Sequence, residues 1–117
     1  MRFALLIAIV ETAKEDEAIA VAKARGAGGV TTLKGTGVGL NEKKTFFGLT
    51  YERAESILLF VLEKRASVKV MKALKRELKL DAEGKGMVMS LPIEHLAGIA
   101  PSQLAVFEEK LKAEKEI

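Results

Sequence analysis

The sequence predicts an α+β fold: a ferredoxin-like βαββαβ sandwich with an extra C-terminal helix. Three observations carry that expectation. Two runs, residues 3–10 and 57–62, are of strand length and almost wholly apolar. Each run is followed by a segment whose apolar residues recur at helical spacing. Glycine clusters stand where those helices and strands have to be joined.

Phe3-Ala-Leu-Leu-Ile-Ala-Ile-Val10 reads as a first strand buried on both faces. It is far too short to span a bilayer. The charged residues 11–17 follow with no small-x-small cleavage site between, so the run reads as a strand and not as a signal segment. Thr12 and Glu15 match a capping box for the first helix, which Ala18, Val21 and Ala22 continue. Gly26, Gly28 and Gly29 end it. Val30-Thr-Thr-Leu33 is β-branched and reads as a second strand. Residues 35–51, glycine-rich and polar, form the longest expected loop, and loops of that length in small domains are often functional. Ile57-Leu-Leu-Phe-Val-Leu62 is the third strand.

Residues 66–80 predict the second helix. Its apolar stripe is Val70, Met71, Leu74 and Leu78, and Lys69, Lys72, Lys75, Arg76 and Lys79 fill the rest. Residues 81–86 carry turn chemistry. Met87-Val-Met-Ser-Leu91 is a fourth strand, stopped by Pro92. Pro101 opens a last helix with Leu104, Phe107 and Leu111 on its apolar face, and the charged residues 112–116 are expected to fray. This is one domain over 1–117, with its core at about 2–99 and its C-terminal helix at about 101–115.

Right-handed crossovers place both main helices on one face of a four-stranded antiparallel sheet. The other face is also apolar and needs a cover. The simplest cover is another copy of the chain, so an oligomer is expected; the alternative is the terminal helix folding back.

Composition narrows the function. The chain of 117 residues is 49% hydrophobic and 30% charged, enough for one core in a soluble protein. Net charge is +3, with acids and bases interspersed, a weak argument for nucleic-acid binding. There is no cysteine, which excludes disulfides, thiolate zinc sites and a thiol nucleophile, and is compatible with a cytoplasmic location. No hydrolase elbow, Walker loop or metalloprotease motif is present. His95 is alone and reads as a surface or structural residue, and Glu108 and Glu109 read as a solvated pair. No catalytic residue and no metal site is expected, and the chain is read as a non-enzyme.

Two glycine segments remain. Gly35-Thr36-Gly37 follows a strand but precedes more loop and a strand, so the dinucleotide fingerprint fails its context. Its backbone amides can still cradle an anion, as can Gly84-Lys85-Gly86, where Lys85 can meet a phosphate. The lysines of the second helix read as a solvated face. The scarcity of aromatic residues argues against an RNA-recognition module, so no nucleic-acid partner is expected.

Together these segments resemble the PII family of signal transduction proteins, over roughly residues 3–99. Gly29-Val-Thr-Thr-Leu-Lys-Gly-Thr-Gly37 is similar to the end of that family's second strand and the entry to its T-loop. Gly84-Lys-Gly-Met-Val-Met-Ser-Leu-Pro-Ile93 is similar to the B-loop and the following strand. The resemblance implies a homotrimer that binds ATP, ADP or AMP, or another small anion, in clefts between subunits. The contacts would be Gly35, Thr36 and Gly37 of one subunit and Gly84, Lys85 and Gly86 of another. It also implies a flexible loop, here with Asn41, Lys43, Lys44 and Tyr51, that docks on a target such as a transporter or metabolic enzyme in nitrogen regulation. Departures qualify this. Val38 and Gly39 stand where nitrogen-regulatory members carry arginine and glutamine, Met87 stands in place of a phosphate-binding lysine, the C-terminal arginines are missing and the loop is short. The pattern is that of a divergent member. Two other readings stand beside it: a CutA-like metal-tolerance protein, also trimeric and ferredoxin-like, and a nucleic-acid-binding module.

Overall fold

The computed structural model describes residues 1–38, 45–46, 49–50, 53–82 and 84–115. The main strands are β1 (Phe3–Glu11) and β2 (Thr31–Gly37), then β5 (Arg53–Glu63) and β6 (Gly86–Pro92). Two short strands, β3 (Thr45–Phe46) and β4 (Leu49–Thr50), pair with each other between β2 and β5. The helices are α1 (Glu15–Ala24), α2 (Lys64–Glu77) and α3 (Pro101–Lys115). The main sheet has the order β2-β5-β1-β6, and every neighbouring pair is antiparallel. This is the expected ferredoxin-like α+β architecture.

The period-2 alternation of a strand decides which residues meet the helices. Along β1, Ala4, Leu6, Ala8 and Val10 are buried, and along β5 so are Ser56, Leu58, Phe60 and Leu62. They pack with Ala18 and Ala22 of α1, Val70 and Leu74 of α2, and Leu78. The buried positions of α1 are the small side chains Ala18 and Ala22. The polar atoms of this layer are satisfied: Ser67 of α2 and Ser90 of β6 share a hydrogen bond of 2.6 Å. Among the described residues no buried side-chain nitrogen or oxygen lacks a partner.

The alternate residues face away from the helices. Register places Leu33, Ile57, Leu59, Val61, Leu5, Ile7, Ile9, Met87, Met89 and Leu91 on that second face. In the single chain they are only partly covered: Leu33 is 52% exposed and Met87 56%. The terminal helix does not cover them. Its Leu104 and Val106 are exposed, and it is held to β1 by an edge-to-face contact between Phe107 and Phe3, ring centroids 5.3 Å apart. The fold-back cover for this face is therefore not what the chain adopts.

Several expectations are corrected by local physics. The capping box at Thr12 and Glu15 does not form. Thr12–Lys14 is a 3-10 turn, α1 starts at Glu15 without a side-chain cap, and the Glu15 carboxylate is engaged by Lys34 of β2. The second helix begins two residues earlier than the expected residue 66, because the Glu63 carboxylate accepts from the Arg65 and Ala66 amides and caps it there. It also ends earlier, at Glu77, where Lys79 takes a positive φ and the Leu80 amide donates to the Lys75 carbonyl. Finally, β2 runs through Gly35, Thr36 and Gly37, which pair with Glu55, Ala54 and Arg53, so these three residues are strand and not loop.

Phe60 is the largest fully buried side chain and contacts core residues of both layers. Phe60→Ala is expected to lower unfolding free energy by about 3–5 kcal/mol, read from urea denaturation. A loss near zero would place Phe60 outside the core.

Candidate functional site

The two glycine segments come to the same end of the main sheet, on its two edge strands. Three strand spacings separate those edges, roughly 14 Å. Between them β1 stops at Glu11, opposite Glu55, while β5 extends two residues further to Arg53. The extra length leaves a gap beside β5, and the Arg53 side chain crosses it. Its Nη1 donates to the Gly84 carbonyl at 3.1 Å, so one side chain ties the strand opposite Gly37 to the turn before β6.

Close approach to backbone explains one glycine here, Gly86. At Gly37 a Cβ would meet only the end of the Glu55 side chain, which can swing aside. Gly86 has φ +121°, and a Cβ there would collide with the Ile9 carbonyl oxygen of β1. The B-loop-like turn is thus pressed against the central strand, and it carries the half-exposed Lys85 outward. Lys85 Nζ lies 3.8 Å from the Glu11 carboxylate, a partly exposed pair of modest strength. Arg53, Glu55 and Glu11 were not singled out by sequence reasoning. The available signal was register: closing the hairpin from Gly37 brings Arg53 opposite it.

The candidate residues therefore divide into groups. Gly35, Thr36 and Gly37 lie on β2, and Gly84, Lys85 and Gly86 on the turn into β6, at one end of the protomer. They do not touch each other within the chain; Arg53 and the Glu11–Lys85 pair fill the space between. Asn41, Lys43, Lys44 and Tyr51 lie outside the described residues. His95 and Glu94 are almost fully exposed and 4.0 Å apart. Among the described residues no group of three or more His, Asp or Glu side chains is arranged to hold a metal, and no helix is long and apolar enough to cross a membrane.

A second polar network braces the base of β2. Lys34 Nζ donates to Glu15 Oε1 at 2.6 Å and to Ser56 Oγ at 3.1 Å, and Ser56 Oγ donates to Thr12 Oγ1 at 3.2 Å. Lys34 immediately precedes Gly35, so this network fixes where the glycine segment starts. The Lys34 ammonium holds the Glu15 carboxyl below its ordinary value against partial desolvation, with a smaller contribution from the Ser56 hydroxyl.

A four-stranded antiparallel sheet carrying a short hairpin insertion between its edge and central strands, with a glycine turn beside the insertion's base, is a PII-like fold. Among solved structures the chain is similar to CPII, a nitrogen regulatory PII-like protein from Thiomonas intermedia K12, bound to ADP, AMP and bicarbonate. The likeness has a TM-score of 0.63 at 15% identity, over 85% of this chain and 98% of that one. No protein-family model matches the chain, and no curated protein sequence does.

The Glu15–Lys34 pair yields a pH dependence. The carboxyl is depressed in the folded state, so its contribution is complete at neutral pH and is lost as pH falls through the depressed value. Lys34→Met removes that contribution. Thermal melts from neutral to strongly acidic pH are expected to show the wild type more stable at neutral pH, with the difference closing on acidification. A difference that does not change with pH would refute the pairing.

Proposed function

We propose that this protein is a ligand-sensing regulator that binds an adenine nucleotide or another small anion in clefts between protomers, and signals to a partner protein through the segment between β2 and β5. The observation that carries this reading is the convergence of two glycine segments, an arginine and a lysine at one end of a PII-like sheet. Backbone amides beside glycines accept anions closely, and Lys85 adds a mobile charge. The similar protein CPII is bound to ADP, AMP and bicarbonate, which supports the same ligand classes here. We read the site as regulatory, by analogy with its PII-like neighbour.

The cleft's charge balance refines the ligand. Arg53 and Lys85 are accompanied by Glu11 and Glu55. Each carboxylate repels a phosphate chain more strongly the more charge that chain carries, and Val38, Gly39 and Met87 supply no replacement cation. AMP, ADP or bicarbonate is therefore favoured over ATP with magnesium and 2-oxoglutarate. In this reading three protomers pack their apolar second faces around a three-fold axis, and Gly35, Thr36 and Gly37 of one meet Gly84, Lys85 and Gly86 of the next. Asn41, Lys43, Lys44 and Tyr51 belong to the docking segment. The target is a transporter or metabolic enzyme, in nitrogen regulation and in the cytoplasm.

Isothermal titration with ATP, ADP, AMP, cyclic nucleotides and bicarbonate tests the ligand. AMP or ADP is expected to bind, with Lys85→Gln at least about tenfold weaker. Silence across the panel from intact oligomers would sink the sensing reading. Sedimentation tests the assembly separately. The wild type is expected at three times the chain mass, and Met89→Glu, a charge on the apolar face, at the mass of one chain.

A further inference from the structure

At the other end of the sheet, where β1 begins, lies a cavity of about 570 Å³. β1 has nine residues at about 3.4 Å each, so this cavity stands far from the glycine cleft at Glu11. Its volume falls within the roughly 300–1,000 Å³ range of small-molecule sites. The frame is backbone: the Lys64 amide donates to the Arg2 carbonyl at 2.9 Å, and the Ile93 amide to the Phe3 carbonyl at 3.0 Å. These bonds pin the starts of β1 and α2 and the exit of β6 together. The Phe3–Phe107 contact holds α3 alongside, so that Leu104 forms part of the wall. The start of α3 is itself fixed, its Ala100 amide donating to Gln103 Oε1 at 3.1 Å.

The chemistry of the lining is lopsided. Phe3, Pro92, Ile93, Leu96 and Leu104 give it an apolar side, while polar atoms make up nearly half of its surface. Its two side-chain cations, Arg2 and Lys64, form no ion pair or side-chain hydrogen bond among the described residues. The one acid in the lining, Glu94, is 91% exposed, and it lies 4.0 Å from His95 and is paired with neither cation. A half-open hollow with one apolar side and two unpaired side-chain cations fits a ligand with an apolar body and one anionic end. We propose that this cavity binds a free amphipathic anion, a carboxylate carried on a hydrocarbon chain or ring. The charge sits between Arg2 and Lys64, and the body lies against Phe3 and Leu104. The site is independent of the nucleotide reading, which concerns the opposite end of the sheet.

The test uses the full chain and decanoate below its aggregation concentration, followed by isothermal titration. Decanoate is expected to bind saturably at one site per chain, at least about tenfold tighter than decanol, since only the carboxylate meets the cations. The Arg2→Gln/Lys64→Gln double variant is expected to lose at least that factor with an unchanged thermal melt, because both side chains are exposed. Leu104→Glu is expected to lose binding as well. Equal binding of decanoate and decanol would overturn the proposal. So would undiminished binding by the double variant, which would place the ligand on the apolar sheet face, and so would capture by phosphatidylglycerol vesicles without decanoate binding.

Discussion

The structure depends on β1 and β5 lying side by side at the centre of the sheet with apolar residues on both of their faces. Nine register pairs join them, from Phe3 with Glu63 to Glu11 with Glu55. One set of alternate residues is sealed by α1 and α2, and this seal holds the protomer together. The other set is left partly exposed by the described residues. Burial of apolar area contributes about 25 cal/mol per Å². Side chains such as Leu33 and Met87, more than half exposed, therefore represent stabilisation that association with a like surface would supply. Folding draws on one face of these two strands, and the proposed assembly would draw on the other.

The unequal lengths of those strands also create the candidate site. Because β1 ends at Glu11 and β5 continues to Arg53, the sheet is notched at one end. The Gly86 turn leans into β1 so closely that only glycine fits, and Arg53 spans the notch to Gly84. The Lys34–Glu15–Ser56 network holds the other side, immediately before Gly35. The glycine segments are thus flexible in composition but anchored by neighbours, the condition for presenting amides at fixed positions.

Much of this was legible in the sequence, for identifiable reasons. The apolar runs at 3–10 and 57–62 were legible by their strand length and flanking residues, and the stripe Val70, Leu74, Leu78 by its helical period. What misled was local polar chemistry whose partner is distant in sequence. Thr12 and Glu15 have a capping-box spacing, yet an ammonium nineteen residues away engages Glu15 more strongly than a backbone amide can. Gly35 and Gly37 have loop composition, but pairing with β5 draws them into strand. Arg53, Glu55 and Glu11 were invisible as a group because only sheet register brings them together. The cavity at the start of β1 was equally hidden, being assembled from four separate segments.

The geometry at the notch also bears on how a ligand could act. Lys85 and Glu11 sit 3.8 Å apart and partly exposed, an arrangement typically worth less than about 1 kcal/mol. A bound anion can therefore take Lys85 from Glu11 at small cost. Arg53 is different: it donates to a backbone carbonyl, and moving it would leave that carbonyl in need of a new partner. A ligand changes the conformation of the adjoining segment only by its differential affinity for two arrangements. Lys85 is the group that can exchange partners readily, and Arg53 is the brace it moves against. Lys85→Gln is therefore expected to weaken an anion without disturbing the notch, whereas Arg53→Gln is expected to loosen the Gly84 turn and alter the fold's stability together with binding, a difference that parallel titrations and melts would resolve.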